Sequence, residues 1–262
     1  MGVVNVTPDS FSDGGRFLGE AASLVHARRL IAEGADILDI GGESTRPGAD
    51  PVGEAEEIAR VVPLIRAIAA ETGVPISIDT LKPGVARAAA AAGASIWNDV
   101  TALAAPGATA AAAELGCTVI LMHMQGEPQT MQLDPRYDDV VAEVCAFLAG
   151  RAEAAMKAGV AQGNIWLDPG IGFGKTTEHN LKLLAHLDQL AALGFPLVLG
   201  VSRKRFIRAI DPAGEDASDR LGGSLAGVLW GAAHGVAALR VHDVLPTVQA
   251  LKVWTAISEA SN

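Results

Sequence analysis

Three side chains that accept hydrogen bonds stand where short apolar runs of this 262-residue sequence end. Asp79 and Asp168 each follow such a run, and Asn98 closes another. A carboxylate accepts two hydrogen bonds side by side from a guanidine-like edge. Each residue alone is also a typical helix N-cap. Three such acceptor side chains at one edge of a sheet predict a binding site for a flat heterocycle with several N–H donors.

A run of cations, Arg203, Lys204 and Arg205, directly follows another apolar segment, residues 197–201. Cations at a helix N-terminus oppose the helix dipole, so another interaction should favour them there. The run therefore predicts a bound anionic or π-rich ligand, with a solvated helix start as the structural alternative.

Arg240 and His242 lie at the end of the last apolar run. Residues two apart in a strand face the same way, and loops after the seventh and eighth strands of an α/β barrel commonly bind phosphate. With the amide of Asn5, one strand further round such a ring, these side chains predict an anion or Mg²⁺–phosphate site. We expect Asp243 to cap the helix that follows.

Two loops near the start of the chain also carry candidate residues. Asn5 is followed by a long polar loop that contains Phe11, and Asp39 by a glycine-rich loop that contains Arg46. A phenylalanine in a polar loop is typical of a segment that closes over something apolar, and the Arg46 fork suits stacking or anions. The alternative interpretation is an ordinary surface loop, with Asp39 capping a turn and Arg46 paired with Glu43.

Two further signals favour structural roles. The glycine-rich run that precedes Lys175 lacks one residue of the spacing that a nucleotide-binding P-loop needs, so we predict no nucleotide site there. His123 stands alone between two methionines. A single histidine in such a setting is more often packed than a ligand.

The candidate residues belong to a chain that alternates strands and helices. Eight candidate strands cover residues 3–6, 36–40, 76–78, 96–98, 118–122, 165–167, 197–201 and 238–241. Eight candidate helices cover residues 21–32, 54–71, 83–92, 108–115, 138–158, 177–193, 221–234 and 245–258. Near-continuous apolar strands are typical of a parallel sheet covered on both faces. The pattern predicts an α/β fold, a (β/α)₈ TIM barrel that forms a single domain over residues 1–262, with a doubly wound open sheet as the alternative.

Composition and charge exclude several classes of protein. The formal net charge is −10 at pH 7 and the pI is about 5.0, without the basic face of a nucleic-acid-binding protein. Cys117 and Cys145 form neither a disulfide framework nor a zinc-binding spacing. The chain shows no apolar run long enough to cross a membrane and no signal-peptide pattern. We therefore expect a soluble, cytoplasmic protein that binds neither nucleic acid nor membrane.

Eight segments, which together span nearly the whole chain, resemble the dihydropteroate synthase family in type and order. They are NVTPDSFSDGG (5–15), DIGGESTRPGA (39–49), SIDT (77–80), WNDV (97–100), MHMQGEPQTMQ (122–132), LDPGIGFGK (167–175), SRKRF (202–206) and RVHDV (240–244). The resemblance implies a transferase of folate biosynthesis that joins 6-hydroxymethyl-7,8-dihydropterin diphosphate to para-aminobenzoate. The products would be 7,8-dihydropteroate and diphosphate, formed by an SN1-like displacement without a covalent enzyme intermediate.

The resemblance also implies a role for each matching residue. The pterin would be bound by Asp39, Arg46, Asp79, Asn98, Asp168 and Lys204. The diphosphate would be held by Asn5, Thr45, Arg240 and His242, with Asn5 also on Mg²⁺, the implied cofactor. The para-aminobenzoate pocket, where sulfonamides would compete, would be formed by Phe11, Thr45, Pro47, Phe173, Lys204 and Arg205. Catalysis would rest on Asp9, Arg46, Asp79, Asp168 and Lys204.

The sequence departs from the family at Arg205, where many members have serine, and it begins almost at the first strand, where members usually carry a further segment. The family favours a homodimer, whereas apolar faces around residues 221–235 fit simple barrel packing equally well. Two alternatives remain. One is a pterin-dependent methyltransferase, which would have no use for Arg240 and His242 as diphosphate-binding residues. The other is a catalytically silent pterin-binding paralogue, which would be expected to lose loop residues such as Asp9 and Phe11.

Overall fold

A ring of parallel strands forms the centre of the protein. The structure, a computed structural model, describes residues 1–6, 15–44, 50–127 and 129–260. The strands are β1 (Gly2–Asn5), β2 (Leu38–Gly41), β3 (Ile76–Asp79), β4 (Ile96–Asp99), β5 (Thr118–Met122), β6 (Ile165–Asp168), β7 (Val198–Leu199) and β8 (Ala238–Leu239). Strands β1 to β6 pair in parallel in chain order, and β7 pairs with β8.

Backbone hydrogen bonds join these two sheets into a closed barrel. Leu167 N donates to Pro196 O at 2.9 Å, which links β6 to the residues before β7. Val3 N donates to Val241 O at 3.0 Å, which closes the end of β8 onto β1. The predicted (β/α)₈ barrel is therefore confirmed, and the alternative of an open doubly wound sheet is wrong.

Ten α-helices accompany the strands in the described part of the chain. They are α1 (Gly15–Ala32), α2 (Glu54–Glu71), α3 (Pro83–Ala92), α4 (Ala108–Leu115), α5 (Val140–Lys157), α6 (Thr177–Ala185), α7 (Leu187–Ala191), α8 (Arg205–Ile210), α9 (Leu221–Ala233) and α10 (Val244–Glu259). Short 3₁₀ turns cover Gln162–Asn164 and Ala217–Arg220. None of the described helices has the length and apolarity to cross a bilayer.

Local sequence signals fix several helix ends. Pro83 opens α3, where its missing N–H costs nothing. Gly93 ends the same helix with φ +120°, a conformation that suits glycine. Asp139 caps α5, because its side chain accepts from Val141 N at 3.0 Å and from Ala142 N at 3.1 Å.

Three helical segments differ from the sequence prediction. Helix α1 begins at Gly15, whereas its predicted start is residue 21. The helix predicted over residues 177–193 breaks at His186, whose N–H bonds to Leu183 O in a tighter turn. No proline or glycine marks that break in the sequence. Helix α8 is additional, because its six residues are too few to show a helical period.

Side chains inside the barrel form an apolar floor beneath a polar layer. The floor contains Ile96, Ile120, Val198 and Ala238. Residues two positions further along the same strands face the same way, and these are Asn98, Met122, Gly200 and Arg240. The period of the strands therefore places polar side chains at the C-terminal mouth of the barrel, where α/β barrels carry their chemistry.

Candidate active site

The three acceptors predicted from the sequence, Asp79, Asn98 and Asp168, line one cavity at the mouth of the barrel. Asp79 and Asn98 are register partners on β3 and β4, and Asp168 ends β6. Asn98 and Asp168 are buried, and the Asp79 side chain is 12% exposed. The cavity encloses about 330 Å³ up to its open mouth. Its other walls are Val100, Met122, Gly170, Ile171, Phe173, Gly200, Lys204 and Arg240.

Arg240 links two carboxylates at this cavity. Its Nη2 donates to Asp79 Oδ2 at 2.7 Å, and its Nε donates to Asp39 Oδ2 at 2.6 Å. Asp39 is fully buried and is the register partner of Ser77, so it lies one layer deeper than Asp79. Asp39, which was expected at the pterin, is not among the cavity walls and contacts two residues that are, Arg240 and Asn98, whose Nδ2 donates to Asp39 Oδ2 at 3.4 Å. Arg240, which was expected at the diphosphate, also neutralises the acidic side of the site.

Burial shifts the protonation of the cavity residues. It raises the pKa of the Asp79 carboxyl to about 7, against the attraction of Arg240, which favours the ionised form. It also raises the pKa of Asp168, although Gly170 N donates to Asp168 Oδ1 at 2.7 Å. Burial and the charge of Arg240 lower the pKa of Lys204 to about 8. The site thus combines carboxyls that take up protons readily with a cation that gives one up readily, a pattern typical of functional sites.

The three cations after β7 have three different environments. Lys204 Nζ lies 4.2 Å from the centre of the Phe173 ring, within range of a cation–π interaction. Arg203 instead donates to both carboxylate oxygens of Asp243, at 2.9 and 2.5 Å. Arg205 is exposed at the start of α8 and does not line the cavity. Asp243 stands at the N-cap of α10, but its side chain makes no capping hydrogen bond, so the predicted cap is wrong. Both of its carboxylate oxygens bind Arg203 instead.

His242 and Asn5 lie outside the cavity walls. Ser202 Oγ accepts from His242 N at 3.2 Å and lies 3.1 Å from His242 Nδ1. Burial and nearby cations, Arg240 first, lower the pKa of His242 to about 3, so the ring is neutral near pH 7. Asn5 is exposed at the end of β1, next to Gly41 in register.

Sequence reasoning missed five residues of the cavity wall: Val100, Met122, Gly170, Ile171 and Gly200. Met122 lines the cavity, and the period of β5, in which Ile120 faces the floor, could have indicated this. Lys175 is buried, and its Nζ binds the carbonyl oxygens of Gly170 and Phe173 at 3.0 Å each. That geometry agrees with the predicted absence of a P-loop, because a P-loop lysine must reach a phosphate.

Five predicted site residues lie outside the described residues: Asp9, Phe11, Thr45, Arg46 and Pro47. The described residues contain no group of three or more His, Cys, Asp or Glu side chains suited to hold a metal ion.

Comparison with known proteins agrees with this geometry. Residues 1–242 match the family described as Pterin binding enzyme. Dihydropteroate synthase of Escherichia coli K12 is 48% identical over 260 residues, which cover 99% of this chain and 92% of that protein. A Xanthomonas albilineans dihydropteroate synthase structure with 4-aminobenzoic acid is 52% identical, with a TM-score of 0.93 over 98% of this chain and 92% of that one.

A Yersinia pestis dihydropteroate synthase structure with a sulfonamide drug is 45% identical, with a TM-score of 0.93 over 99% of this chain and 94% of that one. These likenesses extend over nearly the full length of both chains. The chain therefore belongs to the family of pterin binding enzymes and, within it, to the dihydropteroate synthases.

Proposed function

We propose that this protein condenses 6-hydroxymethyl-7,8-dihydropterin diphosphate with para-aminobenzoate and releases 7,8-dihydropteroate and diphosphate. The observation that carries the proposal is the convergence of Asp79, Asn98, Asp168 and Lys204 on one cavity above an apolar floor. Such a cavity offers acceptors to the N–H groups of a pterin and a donor to its ring oxygen and nitrogen.

The carboxylates also suit the chemistry of the transfer. Departure of diphosphate leaves a cationic methylene that is delocalised into the dihydropterin ring. Asp79 and Asp168, ionised when they accept pterin N–H groups, favour that positive charge. The neutral arylamine of para-aminobenzoate then attacks the methylene, the new C–N bond forms, and the amine loses a proton. The closed floor and a covered mouth would keep out water that could otherwise capture the cation.

The leaving group is proposed to bind between Asn5, Arg240 and His242, with Thr45 added from outside the described residues. The neutral His242 ring donates one hydrogen bond, and Arg240 brings positive charge. The amide oxygen of Asn5 is a hard donor that suits Mg²⁺, which takes few protein ligands and otherwise binds phosphate oxygens and water. When bound, Mg²⁺ neutralises the charge of the diphosphate.

Para-aminobenzoate is proposed to bind against Phe173 and Lys204, near Arg205 and residues of the two early loops. The Yersinia pestis relative binds a sulfonamide drug, and we propose the same site for sulfonamides here. Arg46 and Asp9 remain proposed as catalytic residues of those loops.

We further propose a single-domain protein that acts in the cytoplasm as a homodimer. Helices α9 and α10, which contact one another, expose Trp230, Leu245, Val253 and Ile257 by 46, 59, 56 and 63%. Large exposed apolar side chains on two contacting helices favour a covered face. Sedimentation of the purified protein distinguishes a dimer from a monomer.

The test of the reaction is release of diphosphate from the pterin substrate with Mg²⁺, measured with and without para-aminobenzoate. Release that requires para-aminobenzoate and yields dihydropteroate supports the proposal. Asp79→Asn should abolish it, while Asp188→Asn, on the exposed side of α7, should leave it unchanged. Pterin binding without release would support a silent paralogue instead.

A further inference from the structure

A lysine side chain is buried beneath the glycine turn at residues 170–174. Lys175 is 3% exposed, and its Nζ lies 3.0 Å from Gly170 O, 3.0 Å from Phe173 O and 3.3 Å from His123 O. Buried carbonyl oxygens need donors, and carbonyls that point at one place repel each other unless a positive group lies between them. The Lys175 ammonium supplies that group. Although burial lowers the pKa of Lys175 to about 7, the Asp168 carboxylate favours the charged form.

The fourth contact of this ammonium is the His123 ring, with Nζ 2.8 Å from Nδ1. Because an ammonium only donates, Nδ1 must be the nitrogen without hydrogen. Burial and the charge of Lys175 lower the pKa of His123 to about 3, so the ring stays neutral and keeps this lone pair. Phe147 packs edge-on against the ring, with centroids 4.9 Å apart, and holds it in place.

The turn itself has little stiffness of its own. Gly170, Gly172 and Gly174 all have positive φ, at 66, 84 and 60°, and glycine is the residue with the most conformational freedom. Its shape must therefore be set by contacts. The lysine bonds act at both ends of the segment from Gly170 to Phe173. Between them, Gly172 N donates to Asn180 Oδ1 at 2.7 Å, and Gly172 O accepts from Gln132 Nε2 at 2.5 Å.

That segment carries two parts of the active site. The ring of Phe173 faces Lys204 at the mouth. Gly170, whose carbonyl binds Lys175, also donates its N–H to Asp168 Oδ1 at 2.7 Å. A shift of the turn would thus move the Phe173 ring directly and the Asp168 carboxyl through one hydrogen bond.

We propose that Lys175, held in place by the His123 ring, is a positioning residue for the transfer. By binding the Gly170 and Phe173 carbonyls, it fixes the position of the cavity wall against which para-aminobenzoate binds. This inference rests on the proposed function. It assigns to His123 and Lys175 a role in the binding of the second substrate, although neither residue touches it.

The test compares His123→Leu, which removes the acceptor for the ammonium, with His123→Asn, whose amide oxygen can occupy the place of Nδ1. We expect His123→Leu to raise KM for para-aminobenzoate by about tenfold to a hundredfold, because small misplacements of positioning groups cost this much. The affinity for 6-hydroxymethylpterin should fall much less, because Asp79 and Asn98 lie outside the turn and only Asp168 is bonded to it. His123→Asn should restore most of the loss. His186→Leu, at an exposed histidine between α6 and α7, is the matched control and should leave both constants unchanged.

Equal weakening of both substrates, an unchanged KM for para-aminobenzoate, or an asparagine variant as poor as the leucine variant would each overturn the inference. Amide hydrogen exchange of residues 169–176 keeps the test independent of turnover. If the wild-type protein makes no dihydropteroate, the proposed function fails by itself. Faster amide exchange of this segment in His123→Leu, but not in His123→Asn, would then still support a positioning role for His123 and Lys175. Equal exchange rates in the wild-type protein and both variants would refute it.

Discussion

Arg240 binds Asp39 through a hydrogen bond of 2.6 Å between Nε and Oδ2, although the two residues are 201 positions apart in the chain. The bond joins the end of β8 to the middle of β2 inside the barrel. It turns the guanidinium so that Nη2 reaches Asp79. One buried carboxylate therefore orients the cation of the site and stabilises the closed ring.

Asp39→Asn should destabilise the protein, because the buried arginine loses a charged partner while keeping Asp79. We expect the free energy of unfolding to fall by about 1–3 kcal/mol, the usual cost of leaving a charged group poorly paired. Urea denaturation measures this. Glu71→Gln, which breaks the exposed Arg28–Glu71 pair, should have little effect. If the free energy of unfolding falls no further in Asp39→Asn than in Glu71→Gln, the stabilising role of the buried Arg240–Asp39 pair is contradicted.

Binding of a pterin should depend on pH on both sides of a narrow optimum. The pKa of Asp79 is raised from 3.8 to about 7, so acidification below that value protonates the acceptor and weakens binding. The pKa of Lys204 is lowered from 10.5 to about 8, so alkaline conditions remove a donor. Titration calorimetry with 6-hydroxymethylpterin, which carries no phosphate to titrate, should show an optimum between about pH 7 and 8. Asp79→Asn should lose the acid limb, and a flat wild-type profile from acidic to neutral pH would refute the assignment.

Phe173→Leu should weaken the binding of para-aminobenzoate more than the binding of the pterin. The change removes the ring against which para-aminobenzoate is proposed to bind, and aromatic pairs contribute about 0.5–1.5 kcal/mol, so KM for para-aminobenzoate should rise about twofold to tenfold. Steady-state kinetics with each substrate varied in turn measures the effect, and the inhibition constant of a sulfonamide should rise in parallel. Phe195→Leu, at a half-buried ring away from the cavity, is the control. An equal effect at Phe195 would argue against a specific role for Phe173.

Gly170→Ala should be far more damaging than Gly194→Ala. Both glycines have positive φ, at 66 and 80°, so both substitutions cost about 1 kcal/mol of backbone strain. At Gly170 the new Cβ would also lie 1.9 Å from His123 O, whereas nothing lies within 4 Å at Gly194. The melting temperature of Gly170→Ala, measured by thermal unfolding, should therefore lie well below that of Gly194→Ala. Similar melting temperatures would show that the turn can move away from His123 at little cost.

The barrel and its acceptor set could be predicted because the signals are local. Polar residues at the ends of apolar runs, such as Asp79 and Asp168, follow from the period of a strand and the rule that parallel strands end at one edge. Helices α2, α3 and α4 have the predicted bounds because proline, glycine and acidic first turns mark their ends. The chain order of the strands then places these residues in one ring.

Side-chain pairing could not be predicted, because it depends on contacts between distant segments. Nothing near Arg240 in the sequence indicates that it turns to Asp39 rather than outward. Arg203 and Lys204 are adjacent cations, yet one pairs with Asp243 and the other faces the cavity, and the positive φ of Arg203, 60°, separates them. The tight turn at His186 likewise has no marker in the sequence.

The apolar floor formed by Ile96, Ile120, Val198 and Ala238 closes the barrel beneath the polar layer. Under the proposed function, a pterin bound at Asp79 and Asn98 would lie below para-aminobenzoate and would reach its place only through the mouth. The pterin would therefore bind before para-aminobenzoate, and the depth of each subsite would set the order of binding.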